Sequence, residues 1–100
     1  MTLAEIIDID ADRLAALCER FGIARLDVFG SVVRGESQAD SDLDLLYELR
    51  PGARLGWEIE DLVEELEGLF GRRVDLVSRR ALHPRLRAAV LAEAQQLYAA

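Results

Sequence analysis

The sequence predicts one small α/β (α+β) domain, in which a mixed β-sheet of three or more strands has helices packed mainly on one face. The chain has 100 residues, which is enough for one hydrophobic core and too few for two. Its hydrophobic fraction of 51% is typical of a folded domain. Apolar residues recur in turn at helical and at strand spacing. We therefore expect residues 1–100 to form a single domain.

The first predicted elements lie within residues 10–31. Apolar residues at i, i+3, i+4 and i+7 indicate a helix over residues 10–21: Leu14, Leu17, Cys18 and Phe21. Asp10 or Asp12 can cap the start of this helix, and Gly22 can end it. Residues 23–29 alternate as a strand does, and a short helical turn is expected after Ser31.

The second half of the chain predicts two more strands and two more helices. Residues 43–49 alternate as a strand and end at the turn of residues 50–52. An amphipathic helix with an acidic outer face follows and ends at Gly71. Residues 72–78 resemble a third strand. Pro84 suits the first turn of a last helix, which apolar spacing carries to the end of the chain: Leu86, Val90, Leu91, Ala94 and Leu97.

Composition excludes several kinds of chemistry. Acidic residues outnumber basic ones by 19 to 12, for a net charge of −7, which argues against direct DNA binding and against an anionic membrane surface. Every basic residue is an arginine, so neither a phosphate-loop lysine nor a lysine Schiff base is available. With one cysteine and one histidine, any chemistry must rely on carboxylates, hydroxyls and guanidinium groups. No apolar run or leader is apparent, and we expect a cytoplasmic protein.

Charge is distributed unevenly along the chain. Residues 1–70 carry 6 arginines and 17 acids, whereas residues 71–100 carry 6 arginines and 2 acids. The basic end can be a surface for a partner protein or RNA. Solvated arginines that pair with the acidic helix would look the same in the sequence.

Three aspartates are candidate metal ligands. Asp42 and Asp44 are separated by one residue at the start of a strand, so their side chains point to the same face. Asp75 lies inside another predicted strand, where aspartate is disfavoured. An arginine partner or an edge position would explain Asp75 alone. Three carboxylates on one sheet face would suit Mg²⁺, which prefers hard oxygen ligands.

A second feature is the pair Gly30-Ser31 after a strand. Glycine permits a tight turn and a close backbone approach, and the serine hydroxyl with neighbouring N–H groups can hold a phosphate. Such a pair is weak evidence alone. Its distance from the aspartates, with ten residues between Ser31 and Asp42, makes the combination specific.

Residues 27–46, with the sequence DVFGSVVRGESQADSDLDLL, resemble the signature of the DNA polymerase β-like nucleotidyltransferases. The spacing Gly-Ser-x₁₀-Asp-x-Asp is matched in full. The Arg-Gly-Glu segment and the short chain resemble the minimal nucleotidyltransferases, the MNT-type antitoxins found beside HEPN toxins. The resemblance implies a nucleotidyltransferase-like fold.

The resemblance also implies roles for individual residues. Asp42, Asp44 and Asp75 would be the catalytic and metal-binding acids, holding two Mg²⁺ ions, and Asp75 would assist deprotonation of the acceptor hydroxyl. Gly30 and Ser31 would hold the β- and γ-phosphates of ATP, the substrate. A further phosphate contact would come from Arg34.

The partner implied by the resemblance is a HEPN-type ribonuclease toxin, modified by AMP on a tyrosine hydroxyl and held in a hetero-oligomer. One alternative is a catalytically inactive antitoxin that neutralises its partner by occlusion. A second alternative, transfer of a nucleotide to a small molecule such as an aminoglycoside, lacks a substrate domain in this chain.

Overall fold

A computed structural model describes residues 3–38 and 40–100 of the chain. The elements occur in the order α1 (Leu3–Ile7), α2 (Ala11–Phe21), β1 (Ile23–Phe29), α3 (Ser31–Arg34), β2 (Leu43–Leu49), α4 (Glu58–Phe70), β3 (Val74–Ser78), a 3₁₀ turn (Arg79–Ala81), α5 (Pro84–Glu93) and β4 (Gln95–Ala99). The described part of the chain therefore has five helices and four strands.

The four strands form one mixed sheet in the order β3-β2-β1-β4. β1 is antiparallel to both of its neighbours, β2 and β4. β2 and β3 are parallel, and the helix α4 connects them. This arrangement confirms the predicted fold class.

The main core lies between the sheet and the pair α2 and α4, which pack on each other and on the strands. Asp10 caps α2, because its carboxylate accepts hydrogen bonds of 3.1 Å from the backbone N–H groups of Asp12 and Arg13. The fully buried apolar side chains of this core come from α1, α2, α4 and the two central strands: Ile6, Cys18, Ile23, Leu26, Val28, Leu45, Leu62 and Leu66.

The end of the chain corrects the sequence prediction. The last helix stops at Glu93, Ala94 is extended (φ −61°, ψ 138°), and β4 follows. Helical spacing placed Leu97 in the helix, but Leu97 packs against the core from a strand. The physical reason is that β1 has a free edge next to this segment, and its backbone groups pair with residues that adopt an extended conformation there. β4 supplies that pairing, and the backbone N–H of Ala100 continues it to the carbonyl oxygen of Ala24 at 2.8 Å.

The segment between β3 and β4 crosses the sheet on the face away from α2 and α4. Leu46 is fully buried although it points to the opposite side from Leu45. On the same side, Glu48 pairs with Arg79 of the 3₁₀ turn. Asp27 is also buried there and accepts two hydrogen bonds, of 3.0 and 3.1 Å, from Nε of Arg25. The acidic residues of β2 and β3 therefore lie on the face opposite α2 and α4.

Candidate functional site

The pairing of β2 with β3 brings two of the predicted acids together. Asp44 and Asp75 are direct partners in the parallel register, between the pairs Leu43–Val74 and Leu45–Leu76. Residues paired in register point to the same face of a sheet. The apolar neighbours pack into the core, so the two carboxylates lie on the opposite face. Crossover through α4 makes β2 and β3 parallel neighbours, and this contact depends on that topology.

The carboxylate of Asp44 is held in an unfavourable electrostatic environment. Partial burial raises its pKa, and the nearby charges of Asp75 and then Asp42 raise it further. The positive charge of Arg34 acts in the opposite direction. Within the described residues no hydrogen bond or ion pair neutralises Asp44. Such mutual repulsion between carboxylates is relieved by a bound cation.

Asp42 precedes β2 and is exposed. Its Oδ1 atom lies 3.2 Å from Nε of Arg73 in an ion pair. In residues 3–38 and 40–100, no group of three or more acidic, histidine or cysteine side chains could hold a metal ion as arranged here. The donor set itself suits Mg²⁺, since it offers carboxylate oxygens beside a carboxyl of raised pKa. To bind a cation, Asp42 would have to give up its ion pair with Arg73.

Gly30 places the turn after β1 directly against Asp44. The backbone of Gly30 has φ +81° and ψ −149°, a conformation that essentially only glycine adopts. A Cβ atom at this position would overlap Oδ2 of Asp44 and lie 3.0 Å from Asp44 Cγ. Because Phe29 is paired with Asp44 across β1 and β2, the turn and the acids share one end of the sheet. Glycine is therefore required both by conformation and by space.

Ser31 and Arg34 begin and end the short helix α3 that follows this turn. The Ser31 hydroxyl has no hydrogen-bond partner among the residues that the structure describes. Arg34 is engaged: its Nε donates to Glu36 at 3.1 Å, and its Nη1 donates to both carboxylate oxygens of Glu93 at 3.0 and 3.1 Å. Hydrogen bonds to Glu36 and then to Glu93 raise the pKa of the Arg34 guanidinium.

Two residues of the site were not predicted. Glu93, at the end of α5, accepts a 2.9 Å hydrogen bond from the buried backbone N–H of Gly30. Arg72 donates from Nη2 to the carbonyl oxygens of Gln38, at 2.8 Å, and of Ser41, which fixes the loop before Asp42. Glu93 is one of only two acids among residues 71–100. This scarcity is the feature of the sequence that could have singled out Glu93 as a candidate.

Three of the six arginines of residues 71–100 have side-chain partners inside the described part of the molecule. Arg72 binds loop carbonyls, Arg73 pairs with Asp42, and Arg79 pairs with Glu48. These contacts replace the predicted pairing of these three arginines with the acidic helix. No helix in the described part of the chain has the length and apolar character needed to cross a bilayer.

Comparison with known proteins assigns the family. The family described as "Nucleotidyltransferase domain" matches residues 13–97. The chain therefore belongs to the nucleotidyltransferase domain family.

Individual relatives have more specific names than the family does. "Protein adenylyltransferase MntA" of Thermococcus cleftensis is 44% identical over 93 residues, covering 93% of each chain. A solved structure of a minimal nucleotidyltransferase is 49% identical, with a TM-score of 0.74 and 95% of each chain covered. The Shewanella oneidensis complex of a tri-AMPylated HEPN toxin with its MNT antitoxin matches at TM-score 0.62 and 19% identity, over 90% of this chain and 70% of that one.

These matches confirm the resemblance inferred from residues 27–46, and they confirm that the chain is a nucleotidyltransferase. The match at 19% identity supports the fold alone.

Proposed function

We propose that this protein transfers AMP from ATP to a tyrosine hydroxyl of a HEPN-type ribonuclease toxin and thereby acts as its antitoxin. The acids involved are Asp42, Asp44 and Asp75, and the turn proposed to receive the phosphates contains Gly30, Ser31 and Arg34. The family supplies the reaction class, and the name of the Thermococcus relative supports transfer of AMP to a protein.

The observation that carries the proposal is the junction of Asp44, Asp75 and Gly30 at one end of the sheet. Asp44 faces Asp75 across parallel strands, and the Gly30 backbone approaches the Asp44 carboxylate so closely that no side chain fits between them. A triphosphate on this turn would lie beside the two carboxylates. Nucleotidyl transfer needs that proximity, because a bound cation would supply positive charge to both the carboxylates and the phosphates.

Mg²⁺ enters the proposal as the ion that the carboxylates would hold. Asp42, Asp44 and Asp75 are its proposed ligands, in a set of two ions. Bound Mg²⁺ neutralises charge on the phosphates and aligns the attacking and leaving oxygens. The raised pKa of Asp44 supports a cation at this point, because a positive charge would offset the repulsion among the acids.

The transfer itself is an in-line displacement at the α-phosphorus of ATP. The acceptor hydroxyl oxygen forms a bond to that phosphorus, and the bond to the bridging oxygen breaks, which releases pyrophosphate. The hydroxyl proton passes to the Asp75 carboxylate, which is exposed and therefore accessible to a side chain of another protein. The products are the AMP-modified hydroxyl and pyrophosphate.

The acceptor is proposed to lie on another protein because the Thermococcus relative is named a protein adenylyltransferase. The HEPN toxin is the partner of the MNT antitoxin in the Shewanella complex. We propose the same kind of hetero-oligomer here, formed in the cytoplasm, where ATP and the toxin would both be present.

A labelling experiment tests the proposal. The protein is incubated with α-³²P-labelled ATP, Mg²⁺ and the HEPN-type protein of its own genome. The expected result is label on a tyrosine of the HEPN protein. Asp42→Asn and Asp44→Asn should each reduce the labelling rate by about 10²-fold or more, because each removes a proposed metal ligand. Chelation with EDTA should abolish labelling.

Asp40→Asn is the matched control, since Asp40 is an exposed acid of the same loop with no proposed role. It should label the partner at the wild-type rate. If Asp44→Asn still neutralises the toxin in full while label is absent with both proteins, neutralisation occurs by occlusion and the enzymatic proposal is wrong.

A further inference from the structure

Glu93 connects the end of α5 to the turn after β1. One carboxylate oxygen, Oε1, accepts hydrogen bonds from the Gly30 backbone N–H at 2.9 Å and from Arg34 Nη1 at 3.0 Å. The second oxygen, Oε2, lies 3.1 Å from the same Arg34 nitrogen. The Glu93 side chain is 24% exposed and that of Arg34 is 48% exposed. The bond to Gly30 is therefore partly shielded from water, whereas the bonds to Arg34 are exposed to it.

The same two donors are those expected to bind phosphate. A single N–H group that donates a near-linear hydrogen bond to Glu93 cannot also donate one to a phosphate oxygen. Arg34 likewise directs Nη1 to Glu93 and Nε to Glu36. Two carboxylates hold Arg34 in place, and Nη2 is the nitrogen of its guanidinium that has no partner among the described residues. If Arg34 moved away, Glu93 would keep its hydrogen bond from Gly30, but its charge would lose its counterion.

We propose that Glu93 is a positioning residue of the transfer site: it holds the Gly30 turn against Asp44 and keeps Arg34 as its support. Gly30 and Arg34 then act on the nucleotide through the position of the turn, and the Ser31 hydroxyl is the side-chain group of the turn that contacts the triphosphate. This inference rests on the proposed function, because it concerns how that site binds ATP.

The electrostatic cost of Glu93 supports a role in the site. Its negative charge adds to those that raise the pKa of Asp44. A carboxylate at this point therefore opposes the ionised Asp44. A neutral glutamine would accept the Gly30 hydrogen bond at lower electrostatic cost. The negative charge of Glu93 is needed for its ion pair with Arg34. This pair connects the end of α5 to α3 and to the turn after β1.

The alternative is that Arg34 binds a phosphate directly, in which case Glu93 competes for it. The two cases predict opposite effects of Glu93→Ala. If Glu93 positions the turn, its removal weakens ATP binding. If Glu93 competes with phosphate, its removal frees both donors and strengthens ATP binding.

Nucleotide affinity distinguishes these cases. Dissociation constants of Mg–ATP and of AMP are measured with the full chain as wild type, Glu93→Ala, Glu93→Gln, Arg34→Ala, the Glu93→Ala/Arg34→Ala double variant, and Glu36→Gln. We expect Glu93→Ala to weaken Mg–ATP binding about tenfold, the size of one charge-assisted hydrogen bond. AMP binding should change less than twofold, since the effect belongs to the β- and γ-phosphates.

Two further results are expected. The double variant should bind Mg–ATP within about twofold of Glu93→Ala, because residues that act through one contact are not additive. Glu93→Gln should recover part of the affinity, since its amide oxygen still accepts from Gly30. The matched control Glu36→Gln removes the other negative charge that pairs with Arg34 but changes no contact to Gly30, and it should bind Mg–ATP as wild type does.

Affinity equal to or greater than wild type in Glu93→Ala overturns the inference, as does equal loss for AMP and ATP, which indicates general destabilisation. Losses in the double variant equal to the product of the single losses also overturn it. Failure of the proposed function looks different: wild type then binds no Mg–ATP, or Asp44→Asn binds it unchanged.

Discussion

At the scale of single residues, the repulsion among the carboxylates of the candidate site lowers the stability of the fold. Asp44 is partly buried, faces Asp75, and lies near Asp42 with no neutralising contact in the described residues. Burial and these charges raise the pKa of Asp44, so the folded state favours its protonated form. Below the ordinary aspartate range this preference contributes stability, and the contribution is lost as pH rises through the raised pKa.

Asp44→Asn is therefore expected to stabilise the protein at pH 7 while it abolishes transfer. Asparagine is neutral and nearly isosteric, so it removes the unfavourable charge without leaving a cavity. The Tm at pH 7 should rise by roughly 3 °C. The gain should shrink as the pH falls through the raised pKa of Asp44, because wild-type Asp44 is then protonated and uncharged as well. Thermal unfolding followed by circular dichroism between pH 4 and 7.5 measures both changes.

Asp40→Asn again provides the comparison. Asp40 is exposed and outside the sheet, so its substitution should leave the Tm within about 1 °C of wild type at each pH. A lower Tm for Asp44→Asn at pH 7 would mean that Asp44 is stabilised by a contact that outweighs the repulsion.

At the scale of elements, the loop before β2 depends on Arg72, an arginine of the turn between α4 and β3. Arg72 donates to the carbonyl oxygens of Gln38 and Ser41, and its Nη1 reaches Oγ of Ser37 at 3.5 Å. Gln38 also donates its N–H to Oγ of Ser41 at 2.9 Å. These bonds fix the segment that leads into Asp42, so the position of a proposed metal ligand depends on the start of β3.

Arg72→Ala is expected to reduce the free energy of unfolding by about 2 kcal/mol, because two carbonyl groups lose a charged donor. Labelling of the partner should also fall, since the loop no longer holds Asp42. Arg73→Ala is the matched control at the neighbouring position. Its side chain is 77% exposed, and its loss should cost less than about 0.5 kcal/mol. Urea denaturation gives both values, and equal losses would contradict the role assigned to Arg72.

The end of the chain shows the limit of predicting helices and strands from local sequence patterns. The strands of residues 23–29 and 43–49 were predicted with their observed bounds, because alternation, Gly30 and the turn of residues 50–52 mark them locally. Residues 95–99 were predicted as helix and form β4. Leu97 satisfies both helical and strand spacing in so short a segment. The unpaired edge of β1, a feature distant in sequence, decides between them.

At the scale of the whole molecule, binding of Mg²⁺ and ATP at the end of the sheet where the acids lie should raise the free energy of unfolding. The chain carries a net charge of −7, and ATP adds further negative charge. A cation is therefore needed before the acids and the phosphates can approach one another. The structure brings arginines of residues 71–100 toward acids of residues 1–70, as in the pair of Arg73 with Asp42, but it leaves Asp44 without such a partner in the described residues.

Mg²⁺ and ATP together are expected to raise the Tm by about 10 °C when ATP is present at 100 times its Kd. ATP with EDTA should raise it by less than about 2 °C. The shift with Mg²⁺ should be lost in Asp42→Asn, which leaves the core intact because Asp42 is exposed. Differential scanning fluorimetry measures all three. An equal shift with ATP and EDTA would show that the acids are not metal ligands.

The sequence by itself determined the reaction class of the family, the helix and strand bounds around the motif, and the identity of the candidate acids. Those features depend on the spacing of residues along the chain, which is read directly from the sequence. Only the tertiary structure decided that Asp44 lies opposite Asp75, that Glu93 supports the Gly30 turn, and that the chain ends in a strand. Each of these contacts joins residues far apart in sequence. They follow from the crossover through α4 and from the need to pair every buried backbone group, which no local pattern records.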